Sequence, residues 1–197
     1  MGRWLLVLAG LPLALSGQYT LYTCGASSKD YVVGAKLPAS GIFLKSAGGE
    51  WRHAGFNHPF ITAFDFDPRD PSVVYAAAGN GLLRISDGGE RWKILTGSEV
   101  TELLDVALDR NAPGAIYFSH PHGIQVSHDY GATWHDAASG LGRKYTAALR
   151  VDSRRAGFLV AGTEQGIFRS EDGGTSWRLA GAEIGRASCR ERVCNDV

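Results

Sequence analysis

The 197-residue sequence predicts an all-β fold, a β-propeller of four-stranded antiparallel blades with about four blades in an open, incomplete ring. Three observations predict it. Trp51, Trp92, Trp134 and Trp177 are separated by 41, 42 and 43 positions. Asp residues recur at nearly the same spacing. Each unit of about 42 residues contains short β-rich segments between Gly, Asn, Asp and Pro turns, which is typical of a propeller blade and not of a helical solenoid.

The second to fourth units follow one order, and we place the four blades at 17–55, 56–97, 98–140 and 141–182. An apolar segment ends on an Asp, a turn follows, and two short strands come next with a Gly between them. The closing residues of the apolar segments are Asp67, Asp109 and Asp152. The first unit is degenerate: Tyr19–Cys24 and Tyr31–Ala35 are predicted as its first two strands and Ile42–Lys45 as its third.

A hairpin between the third and fourth strands closes each unit, and we call it the Asp-Gly-Trp hairpin. It reads "ISDGGERW" at 85–92, "SHDYGATW" at 127–134 and "SEDGGTSW" at 170–177, with a copy lacking the Asp, "SAGGEW", at 46–51. The Asp accepts backbone N–H bonds in its own turn, and the Gly takes a left-handed conformation. The hydroxyl residues join the hairpin ends, and the Trp packs on the neighbouring blade. The predicted structural residues are Asp87, Gly89, Trp92, Ser127, Asp129, Gly131, Thr133, Trp134, Ser170, Asp172, Gly174, Ser176 and Trp177.

These hairpins resemble the Asp-box, or BNR-repeat, propeller families, which include sortilin-type proteins, photosystem-assembly-factor-like repeats and sialidases. The resemblance covers roughly Gly17 to Ala182; the hairpins at 127–134 and 170–177 match the full pattern, whereas Ile85 and Arg91 replace the hydroxyl residues in the hairpin at 85–92. It implies that the hairpins lie on the face away from the ligand. Such propellers generally have six or more blades, so we expect a longer protein and an exposed apolar flank on the fourth blade.

Both ends of the sequence are expected to lie outside the propeller. Arg3, the apolar stretch Trp4–Leu15 and the small residues around Ser16 predict a signal peptide at 1–16, hence a secreted or periplasmic protein; a buried N-terminal strand is the alternative. The segment "IGRASCRERVC" resembles a translated sequencing adapter, so 183–197 is interpreted as a non-native disordered tail. Cys24 then has no partner for an intramolecular disulfide.

Composition limits the classes of partner. The chain has 20 basic and 20 acidic residues, and this balance argues against a nucleic-acid interface and against an anionic membrane surface. The apolar stretch at the N-terminus is too short to span a bilayer. We expect no cofactor and no metal, and the oligomeric state is left open.

Polar residues in the loops of one rim are the candidate ligand contacts. This rim comprises the loops from second to third strands and from one blade to the next. Its candidates are Asn57, His58, Asn80, Glu99, His120, His122, Arg143, Lys144, Tyr145 and Glu164. "HPH" at 120–122 is interpreted as a surface turn, since no third metal ligand has a diagnostic spacing. The aromatic residues Phe56, Phe60 and Tyr145 either stack on sugar rings or cover gaps between blades.

Three charged residues, Asp65, Asp105 and Arg150, fall on the inner strands that line the central channel. We expect them at a solvated channel mouth, with a bonded channel cluster as the alternative.

The function predicted from these features is an exported binding or assembly module that presents the rim to a protein or glycan, without catalytic residues. The alternative is the N-terminal fragment of a glycoside hydrolase, sialidase-like or xyloglucanase-like. For such an enzyme, Asp65 and Asp105 would be the only inner-strand carboxylates available as a catalytic pair.

Overall fold

A computed structural model describes residues 20–25, 39–46, 48–55, 57–58, 60–137 and 139–181. These residues form fifteen strands and one single-turn 3-10 helix at Asp87–Gly89. The strands are β1 Thr20–Gly25, β2 Gly41–Ser46, β3 Arg52–Ala54, β4 Ile61–Phe66, β5 Val74–Ala78, β6 Gly81–Ser86, β7 Arg91–Ile94, β8 Asp105–Leu108, β9 Ile116–His120, β10 Gly123–Ser127, β11 His135–Asp136, β12 Thr146–Val151, β13 Leu159–Thr163, β14 Gly166–Ser170 and β15 Arg178–Gly181. The predicted signal peptide and C-terminal tail lie outside the described residues.

The strands form four antiparallel sheets, each built from strands consecutive in the chain. Three are four-stranded, β4-β5-β6-β7, β8-β9-β10-β11 and β12-β13-β14-β15, and the first is β1-β2-β3 in the described residues. Each sheet is one blade, and the predicted β-propeller with an open arrangement of four blades is confirmed. None of the described helical residues forms a segment long and apolar enough to cross a membrane.

The predicted strand order of the first blade is wrong. β1 pairs directly with β2, from Thr20 opposite Ser46 to Gly25 opposite Gly41. β2 begins with a Gly, as do the third strands of the other blades, so β1 occupies the place of a second strand. The predicted strand Tyr31–Ala35 lies outside the described residues.

The core lies between the blades. Successive residues of a strand point to opposite faces of its sheet, and in the second and third blades each face packs on a different neighbouring blade. Along β5, Val74 and Ala76 are buried with residues of the first blade, whereas Tyr75 is buried with residues of the third. Along β9, Phe118 faces the second blade and Tyr117 faces the fourth. The second and third blades are therefore held by apolar contact on both faces.

The fourth blade has an exposed apolar flank, as expected. Val160, the second residue of β13, is 37% exposed, whereas the corresponding Tyr75 and Tyr117 are 1% and 0% exposed. Ile167, the second residue of β14, is 37% exposed, whereas Leu82 at its place in the second blade is fully buried. A neighbouring blade covers these positions in the second and third blades and is absent from this flank of the fourth blade within the described residues.

Candidate ligand rim and the opposite hairpin face

The loops gather on two opposite faces. On one face, the Asp-Gly-Trp hairpins of the third and fourth blades contact the turn after their inner strands: the N–H of Tyr130 donates to the carbonyl of Gly114 at 3.1 Å, and that of Gly173 donates to the carbonyl of Gly157 at 2.9 Å. At the other ends of the strands is the rim. There the N–H of Gly79 donates to Phe60 at 2.9 Å. The rim and the hairpins thus present independent surfaces.

In the hairpin of the third blade, Asp129 is the acceptor that orders the turn. Its Oδ1 accepts from the Ser127 hydroxyl at 2.7 Å and from the backbone N–H groups of Ala132 and Thr133 at 3.0 and 2.8 Å. Its Oδ2 accepts from the Thr133 hydroxyl at 2.6 Å. Ser127 is fully buried, and its Oγ also accepts from Gly131 at 2.8 Å. These bonds close the hairpin on itself.

The hairpin of the fourth blade repeats this network. Oδ1 of Asp172 accepts from the Ser170 hydroxyl at 2.8 Å and from the Ser176 N–H at 2.9 Å, and its Oδ2 accepts from the Ser176 hydroxyl at 2.5 Å. Oγ of Ser170 accepts from the Gly174 N–H at 2.9 Å. Two hairpins with the same residue types therefore use the same bonds.

The hairpin of the second blade replaces the hydroxyl bonds by an ion pair. Asp87 lies 2.9 Å from the Nε of Arg91, and both side chains are largely exposed. Asp87 also has a positive φ of 53°. Because exposed ion pairs stabilise proteins weakly, we infer that this hairpin is held less firmly than the other two.

The hairpins also pack against the preceding blade. A Cβ at Gly55 would lie 1.8 Å from ring atoms of Trp92, so only a residue without a side chain fits beneath that indole. In the next hairpin, the indole Nε1 of Trp134 donates to the carbonyl of Leu95 at 3.1 Å. Trp177 is 5% exposed. Trp51, in the copy without the Asp, is 49% exposed.

Replacing Asp129 or Asp172 by Ala is expected to lower the stability at neutral pH more than Asp87→Ala does, because each of the first two carboxylates accepts several hydrogen bonds. Bonds from Thr133 and Ser176, respectively, hold the pKa of Asp129 and that of Asp172 below their usual range. A depressed folded-state pKa adds stability above the unfolded pKa of about 3.9, and this stability is lost as the pH falls through the folded-state pKa.

The measurement is urea unfolding at pH 7 and in acid, over the window from about pH 4 downwards. Wild type should lose more stability on acidification than Asp129→Ala or Asp172→Ala. Equal stabilities of all variants at pH 7 would show that the carboxylates do not hold the hairpins.

Several rim candidates are engaged in joining blades. His58 is 6% exposed, and its Nε2 lies 2.8 Å from Oδ1 of Asn80. The N–H of His58 donates to Ser40 at 3.1 Å, and the Ser40 N–H donates to Oδ1 of Asn57 at 3.2 Å. The side chain of His58 is therefore buried and bonded within its own blade, and its role as a ligand contact stays a prediction.

The remaining polar candidates are spread over the rim. The rings of His120 and His122 are 6.0 Å apart, and burial, followed by the charge of His122, lowers the pKa of His120. Nζ of Lys144 donates to the carbonyl of Leu141 at 2.5 Å. Arg143, Glu99 and Glu164 are exposed. Within the described ranges, no group of three His, Cys, Asp or Glu side chains is arranged to hold a metal ion.

Two exposed aromatic side chains occupy equivalent places on the rim. Phe60 is 68% exposed and Tyr145 is 44% exposed, and each precedes by seven residues the Asp that closes its inner strand. The backbone carbonyl of each accepts a bond from the turn after the second strand, from Gly79 at 2.9 Å and from Glu164 at 3.1 Å. The third blade has Glu102 at this place. Sequence reasoning missed Glu102, although the same seven-residue offset identifies it.

The expectation of a solvated channel mouth is wrong for Asp105, which is 6% exposed. Its Oδ2 accepts from the Leu149 N–H of the next inner strand at 2.9 Å and from Nη1 of Arg150 at 2.5 Å. Its Oδ1 accepts from the Val106 N–H at 2.9 Å. Asp105 is therefore part of a bonded cluster, which was the alternative. The physical reason is that each inner strand is the edge of its sheet, so its outward N–H groups need an acceptor from elsewhere, and Asp105 provides one to Leu149.

Asp65 makes the same kind of bridge one blade earlier. Its Oδ2 accepts from the Leu108 N–H at 2.9 Å and its Oδ1 from that of Phe66 at 2.8 Å. Burial is the main cause that raises the pKa of Asp65. Asp65 and Asp105 thus link consecutive inner strands, and their oxygens are engaged by backbone donors.

Comparison with known proteins places this geometry among propellers. No protein-family model matches the sequence. A xyloglucanase of a Paenibacillus species is 35% identical over 115 residues, which are 56% of this chain and 9% of that protein. The chain therefore matches less than a tenth of this curated relative.

Solved structures share the fold. A chain of the nidogen/laminin complex has a TM-score of 0.60 at 16% identity, covering 85% of this chain and 63% of the other. An ancestral GH74 enzyme has a TM-score of 0.59 at 18% identity, covering 74% and 22%. The GH74 xyloglucanase of Xanthomonas campestris has a TM-score of 0.52 at 22% identity, covering 61% and 20%.

Proposed function

We propose that this chain is part of an exported β-propeller and that it binds a glycan on the rim opposite the Asp-Gly-Trp hairpins, without catalysing its cleavage. The observation that carries the proposal is the pair Phe60 and Tyr145, two exposed aromatic side chains at the same place in the second and fourth blades. A large exposed aromatic surface on a soluble domain often marks a binding site.

The chemistry of these side chains suits a sugar ring. An aromatic face offers a flat apolar surface for the C–H face of a pyranose, and the phenol hydroxyl of Tyr145 can add a hydrogen bond. The 35% identity to a xyloglucanase over 115 residues supports a glycan as the ligand class, and xyloglucan is therefore the first probe.

The engagement of Asp65 and Asp105 supports a noncatalytic role. A glycosidase needs one carboxyl group that donates a proton and a second that activates water or attacks the sugar. Each of these carboxylates instead accepts hydrogen bonds from two backbone N–H groups. Neither is free to take those roles without releasing a neighbouring strand.

The second candidate is a fragment of a glycoside hydrolase whose catalytic residues lie in another part of the protein. The similarity to a xyloglucanase favours it, since the chain matches only 9% of that protein. Under this alternative the rim would contribute a substrate-binding surface. Release of reducing ends from xyloglucan by the 197-residue chain itself would reject the noncatalytic proposal.

Titration calorimetry with xyloglucan oligosaccharides tests the binding site. Tyr145→Ala and Phe60→Ala should each weaken binding by about ten-fold, which corresponds to the loss of about 1.4 kcal/mol from a contact residue. The matched control is Tyr130→Ala, because Tyr130 is an aromatic residue of similar exposure, 40%, in a hairpin on the opposite face. The Tyr130→Ala variant should bind the oligosaccharide with the same affinity as the wild-type protein.

Two outcomes would reject the proposal. If the wild-type protein binds neither xyloglucan nor other soluble glycans, a glycan is rejected as the ligand class, and peptides are the next class to screen. If Tyr130→Ala and Tyr145→Ala lose equal affinity for the glycan, the rim is rejected as the binding site.

A further inference from the structure

We propose that Glu102 is the polar anchor of the rim and that its carboxylate accepts hydrogen bonds from hydroxyl groups of the bound glycan. This inference rests on the proposed function and adds to it a specificity-determining residue. It starts from an unusual backbone: Glu102 has a φ of +58°, in the left-handed region that residues other than Gly, Asn and Asp rarely adopt.

Contacts on both sides hold this conformation. The N–H of Glu102 donates to the carbonyl of Gly79 in the preceding blade at 2.9 Å, and the N–H of Leu103 donates to Ala78 at 3.2 Å. The hydroxyl of Thr62 donates to the carbonyl of Leu103 at 2.7 Å. A strained residue persists only when its surroundings determine it in this way, and such residues cluster at binding sites.

A difference between the blades accounts for the local geometry. The carbonyls of Phe60 and Tyr145 accept bonds from the N–H groups of Gly79 and Glu164, each of which lies two residues before the Gly that begins the third strand of its blade. In the third blade the residue at this donor position is Pro121, two residues before the Gly that begins β10. Proline has no N–H to donate, so the carbonyl of Glu102 cannot be held as its counterparts are. Instead, the N–H groups of Glu102 and Leu103 donate to backbone carbonyls of the preceding blade.

The side chain at this position is free to meet a ligand. Glu102 is exposed, and no Lys, Arg or His of the described part of the chain forms an ion pair with it. A Gly would relieve the backbone strain, yet the position carries a long acidic side chain. Strain combined with an exposed, unpaired carboxylate points to a role in recognition.

The register places Glu102 between the two aromatic residues. The second, third and fourth blades are packed in sequence, and Phe60, Glu102 and Tyr145 lie at the same position in them. A carboxylate has two oxygens that accept about four hydrogen bonds, and adjacent sugar hydroxyls are donors at a suitable spacing. We therefore assign as ligand class a neutral polysaccharide with adjacent free hydroxyls, stacked on the aromatic rings and oriented by Glu102.

Titration calorimetry with xyloglucan oligosaccharides, combined with thermal unfolding, tests the inference. Glu102→Gln, which keeps one carbonyl acceptor but loses the charge, should weaken binding about five-fold. Glu102→Gly should weaken it about ten-fold or more while leaving thermal stability equal or higher, because Gly tolerates the positive φ. The control Glu90→Gln removes an exposed acid from a hairpin on the opposite face and should bind as wild type does.

The outcomes separate the two proposals. If Tyr145→Ala weakens binding and both Glu102 variants bind as wild type does, the anchor role is rejected and the glycan-binding rim stands. If Glu102→Gly loses stability in proportion to its loss of affinity, and Glu102→Gln binds normally, the residue is structural and the inference fails. If wild type binds no glycan, the proposed function fails and the inference fails with it.

Discussion

Replacing Trp177 by Ala is expected to lower the free energy of unfolding by about 3 to 5 kcal/mol, the range for removing a large buried aromatic side chain. Trp177 is 5% exposed and belongs to the apolar cluster between the third and fourth blades, with Leu141 and Leu149. Its indole Nε1 donates to the carbonyl of Gly174 at 3.0 Å, inside its own hairpin. The substitution would therefore open a cavity and remove a bond that orders the turn.

Urea unfolding followed by circular dichroism measures this effect, and the chain offers its own control. Trp51 closes the hairpin copy that lacks the Asp, and it is 49% exposed. Trp51→Ala should change the free energy of unfolding by less than about 1 kcal/mol, as substitutions of exposed residues generally do. Similar losses in both variants would contradict the view that the Trp residues act through contact between blades.

Replacing Asp105 by Ala is expected to destabilise the protein by about 3 kcal/mol, because buried donors lose their acceptor. The N–H groups of Val106 and Leu149 would both be left without this carboxylate, and so would the guanidinium of Arg150. Most of the effect should come from the backbone donors, since the side chain of Arg150 is 73% exposed and can be solvated.

Two further variants separate these contributions. Arg150→Ala removes the ion pair and leaves both backbone bonds, so a loss below about 1 kcal/mol is expected. Asp105→Asn keeps the acceptor oxygen Oδ1 and should fall between wild type and Asp105→Ala. If Arg150→Ala destabilises as much as Asp105→Ala, the ion pair and not the strand bridge holds the two blades.

The blade architecture was predictable because its signals are local and repeated. The hairpins at 127–134 and 170–177 contain, within eight residues, the acceptor, donors and left-handed glycines that close the turn. The alternation along β5 and β9 follows from the two-residue period of a strand. Repetition every 42 residues then distinguishes a blade from a solitary hairpin.

The parts that sequence reasoning misjudged depend on contacts between distant residues. Asp105 is bridged to Leu149, 44 positions later, and no local pattern shows that this edge N–H lacks another acceptor. In the first blade, counting strands from the start of the chain made β1 the first strand. Its direct pairing with β2 instead puts it in the place of a second strand.

Hydrogen exchange of the wild-type protein with and without bound xyloglucan oligosaccharide tests the central claim most directly, namely that the ligand sits on the rim and not on the hairpins. The expected result is slower exchange confined to the rim, at the amides of Gly79, Glu102, Leu103 and Glu164. Slower exchange at the hairpins 127–134 and 170–177, with the rim amides unchanged, would contradict it.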